Sequence, residues 1–365
     1  MKKQFLRIIG ITLVAALWLL LTFSAWFSPS RDISEAERRN LAQFPELSVQ
    51  TLLNGSFMTK FEDYTLDQFP LRDSFRQAKS LFHYYVLGQK DNNDIYIADG
   101  YAAKLEYPLN ETSVNQAANR FIWIYDNYLA NSDCRTFFTV APDKSYYLAE
   151  ANGYLSMDYE KLFATLKEKL PWAEHVDITD CLSIEDYYRT DTHWRQESLI
   201  DAAKKLGNAM NISIPDFTQT KIEKPFYGVY YGQAALPMES ESMYILRNDT
   251  LDSCTVYNHE RNTTASIYDM TKLNSRDLYD IYLSGAASLL TITNPNATTD
   301  RELIVFRDSF GSSMVPLLVQ DYKTVTLVDI RYISSAYLQQ MLTFDKQDVL
   351  FLYSSLILNN STSLK

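Results

Sequence analysis

The sequence is poor in the residues that build metal centres and disulfide scaffolds. Its three cysteines, Cys134, Cys181 and Cys254, are scattered through 365 residues with no C-x-x-C or zinc-like spacing. An odd number of thiols cannot all pair within one chain, so the fold does not depend on a disulfide framework. Glycine is scarce, at 10 residues, and no stretch is low in complexity. Positive charge is also in deficit. A formal net charge of -11 argues against a nucleic-acid partner, because phosphate binding needs a basic face. With only four histidines, any imidazole chemistry must be drawn from His83, His175, His193 or His259.

What is present is apolar mass. Hydrophobic residues make up 46% of the chain and 26 residues are tyrosine, enough for a large globular domain with an accessory segment. The start is basic (MKKQFLR), and Ile8 to Phe27 is then almost uncharged. That run of about 20 residues matches the length of a bilayer-spanning helix. No clear small-residue cleavage site follows it, which favours an uncleaved signal anchor over a cleaved signal peptide. Lys2, Lys3 and Arg7 would stay inside and the bulk of the chain would face out. The expected organisation is a cytoplasmic tip and anchor over 1–28, a juxtamembrane helical stem over 29–89 and an α/β domain over 90–365.

Within the stem, SFMTKFEDYTLDQFPLRDSFRQAKSLFHYYVLG reads as two helices with a break at Pro70. DIYIADGYAAKLE reads as a hairpin turning at Asp99-Gly100. Beyond it, apolar strand-like runs (CRTFFTVAPDK, HVDITDCL, ELIVF, KTVTLVD) alternate with amphipathic helical ones. Among the latter, RQESLIDAAKKLGNAM is expected to close near Gly207. This alternation predicts a largely parallel sheet with helices on both faces. The stretch from about 222 to 298 is less regular and reads as an insertion at the edge of the domain.

Two stretches carry chemistry. In YYRTDTHW, Asp191 and His193 are separated by one residue, and in extended backbone such a pair shares one face. The carboxylate would then orient the imidazole as the acid of a Ser-His-Asp triad does; the bland alternative is a structural hydrogen bond. In LIVFRDSFGSSMVPLL, a buried-strand run turns through Arg307-Asp308-Ser309 into a helix. A serine at that junction stands at the carboxyl end of a strand, beside free N–H groups able to hold an oxyanion; alternatively it only caps the helix. His83 lies in the stem, His175 opens an apolar strand and His259 sits in the irregular insertion, which leaves His193, so Ser309, His193 and Asp191 form the expected triad. No metal is expected, since no further ligands cluster around the Asp–His pair. The G-x-S-x-G elbow of lipases is missing, which disfavours a lipase or peptidase.

RTDTHW is similar to the motif that names the DHHW family, and closer to the D-T-H-W of alginate O-acetyltransferase proteins, both of the SGNH (GDSL-like) hydrolase superfamily. ERRNLAQFPELS, FEDYTLDQFPLRDSF, VAPDKSYYLAE and FRDSFGSSMVPLL resemble further segments of the family in the same order. The resemblance implies a flavodoxin-like, three-layer α/β/α domain in which Asp and His precede the serine. It also implies an acyl-serine mechanism acting on acetyl esters of an envelope polysaccharide, with no cofactor. A transferase would need an acetyl donor on the outer side, such as a multispanning membrane acyltransferase. The competing class is a catalytically silent glycan-binding or scaffold protein. Two departures stand out: Thr192 replaces the family's His, and the Gly and Asn of the usual oxyanion hole have only Gly285 and Asn294 as candidates, beside the Ser309 backbone. Trp194 and Tyr188 are candidates for stacking on sugar rings, and Arg72 and Lys144 for lining the cleft, although packed or surface roles are the ordinary reading of each. Arg307 is expected in a surface ion pair.

Overall fold

The computed structural model describes residues 2–365. The chain divides into two compact units, residues 1–92 with 232–237, and residues 93–231 with 238–365.

In the smaller unit, α1 (Lys2–Phe27) contains the apolar segment Gln4–Phe27, long and apolar enough to cross a membrane by length and composition. Two further helices, α2 (Ser56–Asp67) and α3 (Arg72–Leu81), flank Pro70. A charge network ties the unit together. Arg39 donates both terminal guanidinium nitrogens to Asp67, at 2.8 and 2.6 Å, and Arg72 bonds Glu37 and lies 3.4 Å from Asp67. The cleft role expected for Arg72 gives way here: its guanidinium is taken up by carboxylates of its own unit.

The larger unit is built on one eight-stranded sheet. Its strands are β1 (Arg135–Ala141), β2 (Glu174–His175), β3 (Thr255–Asn258), β4 (Thr263–Ser266), β5 (Leu289–Thr293), β6 (Glu302–Arg307), β7 (Thr324–Val328) and β8 (Asp348–Ser354). Their spatial order is β4-β3-β5-β7-β6-β8-β1-β2. From β7 through β2 every pairing is parallel, as expected. From β7 outward through β5 and β3 to β4 every pairing is antiparallel. The antiparallel half comes from the 222–298 stretch. Its strand β3 alternates exposed and buried positions and the outermost strand β4 buries none, the pattern of strands near a solvated edge.

The central parallel strands β6 and β8, by contrast, are buried on both faces. Along β6, Leu303 and Val305 face one core while Ile304 and Phe306 face the other. The first core is covered by α6 (Ile200–Met210) and α7 (Gly311–Leu318), the second by α4 (Glu111–Ile124) and α5 (Tyr159–Lys169). Helix α6 runs past Gly207 to Met210 and ends on Asn211 in the left-handed conformation. The hairpin Ile95–Ala98/Tyr101–Lys104 turns at Asp99-Gly100 with φ of 49° and 82°, the paired positive values of a type I′ turn.

Phe351, at the centre of β8, stacks on Phe306 with ring centroids 4.7 Å apart and touches Phe121 and Trp172 edge-on or tilted. Phe351→Ala is expected to destabilise the larger unit by about 3–5 kcal/mol. The measurement is the urea midpoint of the detergent-solubilised chain.

Candidate active site

The acid–histidine pair lies in a turn rather than in extended strand. Tyr187 and Trp194 pair as an isolated antiparallel bridge, and the Tyr188 N–H donates to the His193 carbonyl at 3.1 Å. Between them, Asp191 Oδ1 accepts the His193 backbone N–H at 3.0 Å, closing an Asx turn. The same oxygen lies 2.6 Å from His193 Nδ1. The shared face expected from the two-residue spacing is therefore achieved by side-chain capping of a turn, not by strand pleating.

The other carboxylate oxygen of Asp191, Oδ2, accepts the Val229 N–H at 2.8 Å. This brings residues 228–231 against the turn, where the Tyr230 and Tyr231 N–H groups both donate to the Thr190 carbonyl. Gly228 is required for that approach, because a Cβ there would sit 2.3 Å from Asp191 Cα. Glu241 closes the far side of the turn by accepting the N–H groups of Arg189 and Thr190 at 2.6 and 2.8 Å, and the Thr190 hydroxyl.

His193 Nε2 faces Ser309 Oγ at 2.8 Å across 116 residues of chain. Asp191 is fully buried and His193 is 7% exposed, while Ser309 keeps a partly exposed side. A carboxylate accepts only, so Nδ1 carries the imidazole proton and the lone pair of Nε2 is left to accept the serine hydroxyl. The imidazole is gripped on its faces as well. Tyr279 stacks on it, with centroids 3.9 Å apart and planes 7° apart, and Phe310 packs at 5.0 Å. The Tyr279 hydroxyl bonds Ser313 Oγ at 2.8 Å, the same oxygen that accepts the Trp194 indole N–H at 2.9 Å.

The turn after β6 is braced by Asp308. Its carboxylate accepts the Phe310 N–H and both the N–H and the hydroxyl of Ser354, which ends β8. Ser309 thus stands between strand β6 and helix α7, and its own N–H has no acceptor among the described residues. Arg307 is buried, against the expectation of a surface ion pair. Its Nη1 donates to the Asp308 carbonyl and to Ser312 Oγ, and burial draws its pKa down.

The remaining candidates fall elsewhere. Trp194 and Tyr188 are both fully buried, so neither has a face to offer a sugar. Lys144 is 2% exposed and donates to the Tyr188 and Arg189 carbonyls, which removes it from any open cleft. Gly285 spends its N–H on the Tyr282 carbonyl. Asn294 follows the last residue of β5, which pairs with the first residue of β7, and that residue pairs with the first of β6. It therefore lies at the opposite end of the sheet from Ser309, its amide donating to Val319 and Gln320. Of the expected oxyanion donors, the Ser309 N–H alone stands beside its own hydroxyl. Tyr279, Phe310, Glu241 and Val229 were not singled out from sequence. Gly228, in FYGVYYG, was the one local signal of a tight approach in that region.

No curated protein sequence matches the chain. The model of the DHHW protein family matches residues 182–328, the part that holds Asp191, His193 and Ser309. Among solved structures, the fold is similar to a DHHW family protein from Eubacterium siraeum, with a TM-score of 0.60 and 20% identity over 75% of this chain and 95% of that one. It is also similar to Bacillus cereus PatB1, solved with a sulfonyl adduct, with a TM-score of 0.57 and 18% identity over 72% of this chain and 95% of that one.

Gly228→Ala is expected to push the 228–231 segment off Asp191 and cost about 1–3 kcal/mol, as overpacking does. The fall in the urea midpoint, with loss of the native chemical shift of the His193 ring, measures it. Over residues 182–328 the chain is similar to the DHHW protein family, and its fold is similar to that of the solved DHHW family protein.

Proposed function

We propose that the chain is a membrane-anchored, outward-facing serine-dependent acetyl-transferring enzyme acting on a cell-envelope polysaccharide. The observation that carries the reading is His193 bridging Asp191 at 2.6 Å and Ser309 at 2.8 Å through its two ring nitrogens. In this reading Asp and His precede the serine in the chain.

The chemistry follows from that arrangement. Ser309 Oγ attacks the carbonyl carbon of an acetyl ester while His193 Nε2 takes the hydroxyl proton. Negative charge moves to the carbonyl oxygen, where the Ser309 N–H is free to receive it. The intermediate collapses, the bond to the donor's oxygen breaks, and the imidazolium returns its proton to that oxygen. A sugar hydroxyl then attacks the acetyl-serine, again losing its proton to Nε2; the bond to Ser309 Oγ breaks as the imidazolium returns that proton to the serine, and water in place of the sugar gives hydrolysis. Asp191 stabilises the imidazolium formed in each half-reaction without itself taking the proton.

The partial exposure of Ser309 beside buried partners suits a bulky substrate that approaches from outside. The apolar helix Gln4–Phe27 supports anchoring, with the basic N-terminus retained inside. A multispanning membrane acyltransferase is the proposed acetyl donor, because a single span cannot carry acetyl groups across a bilayer.

The test uses the full chain in detergent with p-nitrophenyl acetate, with and without envelope oligosaccharides. Ser309→Ala is expected to abolish the protein-dependent release of p-nitrophenol. Asp191→Asn is expected to lower kcat by about 10²–10⁴-fold, the scale seen when a triad acid can no longer hold the imidazole tautomer. Acetylated oligosaccharide in the native reaction alone establishes transfer. Equal rates for native and Ser309→Ala would leave the silent glycan-binding protein as the better reading.

A further inference from the structure

Lys144 is a buried lysine with no carboxylate in hydrogen-bonding contact among the described residues. It follows β1 through Pro142-Asp143, and its Nζ donates to the carbonyls of Tyr188 at 3.0 Å and Arg189 at 3.3 Å. The face of the Tyr230 ring lies 5.0 Å from the same nitrogen. These three groups come from the two chain segments that form the acid–histidine turn. The Arg189 carbonyl is also held by the Ala102 N–H at 2.8 Å, and the Tyr230 hydroxyl reaches Thr192 Oγ1 at 3.0 Å. The ammonium thus sits beneath residues 188–193, joining the turn to the segment that supports Asp191.

We propose that Lys144 is a positioning residue of the triad: its buried ammonium fixes the Asp191–His193 turn through the 188 and 189 carbonyls, and its charge favours the Asp191 carboxylate. The proposal rests on the triad reading but concerns a residue that touches neither Ser309 nor a substrate.

The charges facing Lys144 are those of Asp191 in the turn, Glu241 behind it and Asp143 on its own segment. Burial outweighs their attraction and lowers the Lys144 pKa to about 7. Burial likewise raises that of Asp143 to about 6, so its charge is still largely present at pH 7 and is lost as pH falls through 6. Lys144 is therefore charged below neutral pH and loses its charge as pH rises. While charged, it opposes a second positive charge on His193 and so keeps Nε2 available as a base. Without that charge, Asp191 stabilises the imidazolium unopposed, and His193 should accept a proton at higher pH.

Lys144→Met keeps the aliphatic stem and removes the ammonium. The full chain in detergent, with ring-labelled histidine, is titrated by NMR, and His193→Gln assigns the signal among the four histidines. The expected result is a His193 titration midpoint about one pH unit higher in Lys144→Met than in the native chain. The acidic limb of kcat/KM should move by the same amount with KM unchanged. An unmoved midpoint together with an unmoved acidic limb in a folded variant would overturn the proposal. Should the variant not fold, the native chain still decides. A lysine Cε signal titrating near neutral pH must then produce a matching second inflection in the His193 signal, and its lack overturns the proposal. The NMR readout needs no substrate, so failure of Ser309→Ala to lose activity sinks the serine reading separately.

Discussion

The site depends on one buried carboxylate. Asp191 is withdrawn from water, and a buried carboxylate is tolerated only when hydrogen bonds replace its hydration. The N–H of His193, the ring Nδ1 of His193 and the N–H of Val229 all point at it. Each bond also has a geometric consequence. The first closes the turn, the second aims the imidazole, and the third draws residues 228–231 against the back of the turn, which only a glycine at 228 permits. Satisfying that carboxylate therefore assembles the half of the site that has to meet Ser309.

The other half is assembled by the carboxyl ends of three adjacent parallel strands, β1, β8 and β6. Ser355, just past β8, accepts the Asp143 N–H past β1, and Ser354 at the end of β8 donates to Asp308 past β6. Strand ends in an open sheet expose unpaired backbone groups, which makes them the usual place for binding crevices. Here short side chains tie the ends to one another. Ser309 is held by a bonded lattice and not by a free loop, and its position relative to His193 is set by the register of the sheet.

Much of this was legible in the sequence because it is local. The D-x-H spacing, the strand-turn-helix around Ser309, the Asp99-Gly100 hairpin and the two stem helices around Pro70 each follow from nearby residues. Asn294 was misplaced because Gly and Asn are matched by residue type, whereas the end of the sheet on which a residue falls depends on strand direction. The antiparallel pairing of β5 with β7 put it at the far end. Trp194 and Tyr188 were proposed for sugars because aromatic residues suit both a core and a carbohydrate face, and only tertiary packing separates the two uses. Tyr279 escaped notice since its contact with His193 joins segments with no common sequence pattern.

That contact holds the imidazole that the proposed mechanism uses twice. An imidazole that gains and then returns a proton changes charge, and a loosely held ring would turn toward whichever acceptor then suited it. Asp191 fixes Nδ1, while Tyr279 stacks on the ring and Phe310 packs tilted against it, both opposing rotation about χ2. Tyr279 is itself locked by Ser313, and Ser313 by Trp194, the residue directly after His193. The grip therefore closes on itself through α7, the helix that begins just after Ser309. Any movement of Ser309 with its helix carries the clamp of His193 along with it. The 2.8 Å separation of Nε2 and Ser309 Oγ is thereby tied to both segments at once, as the proposed proton transfer requires.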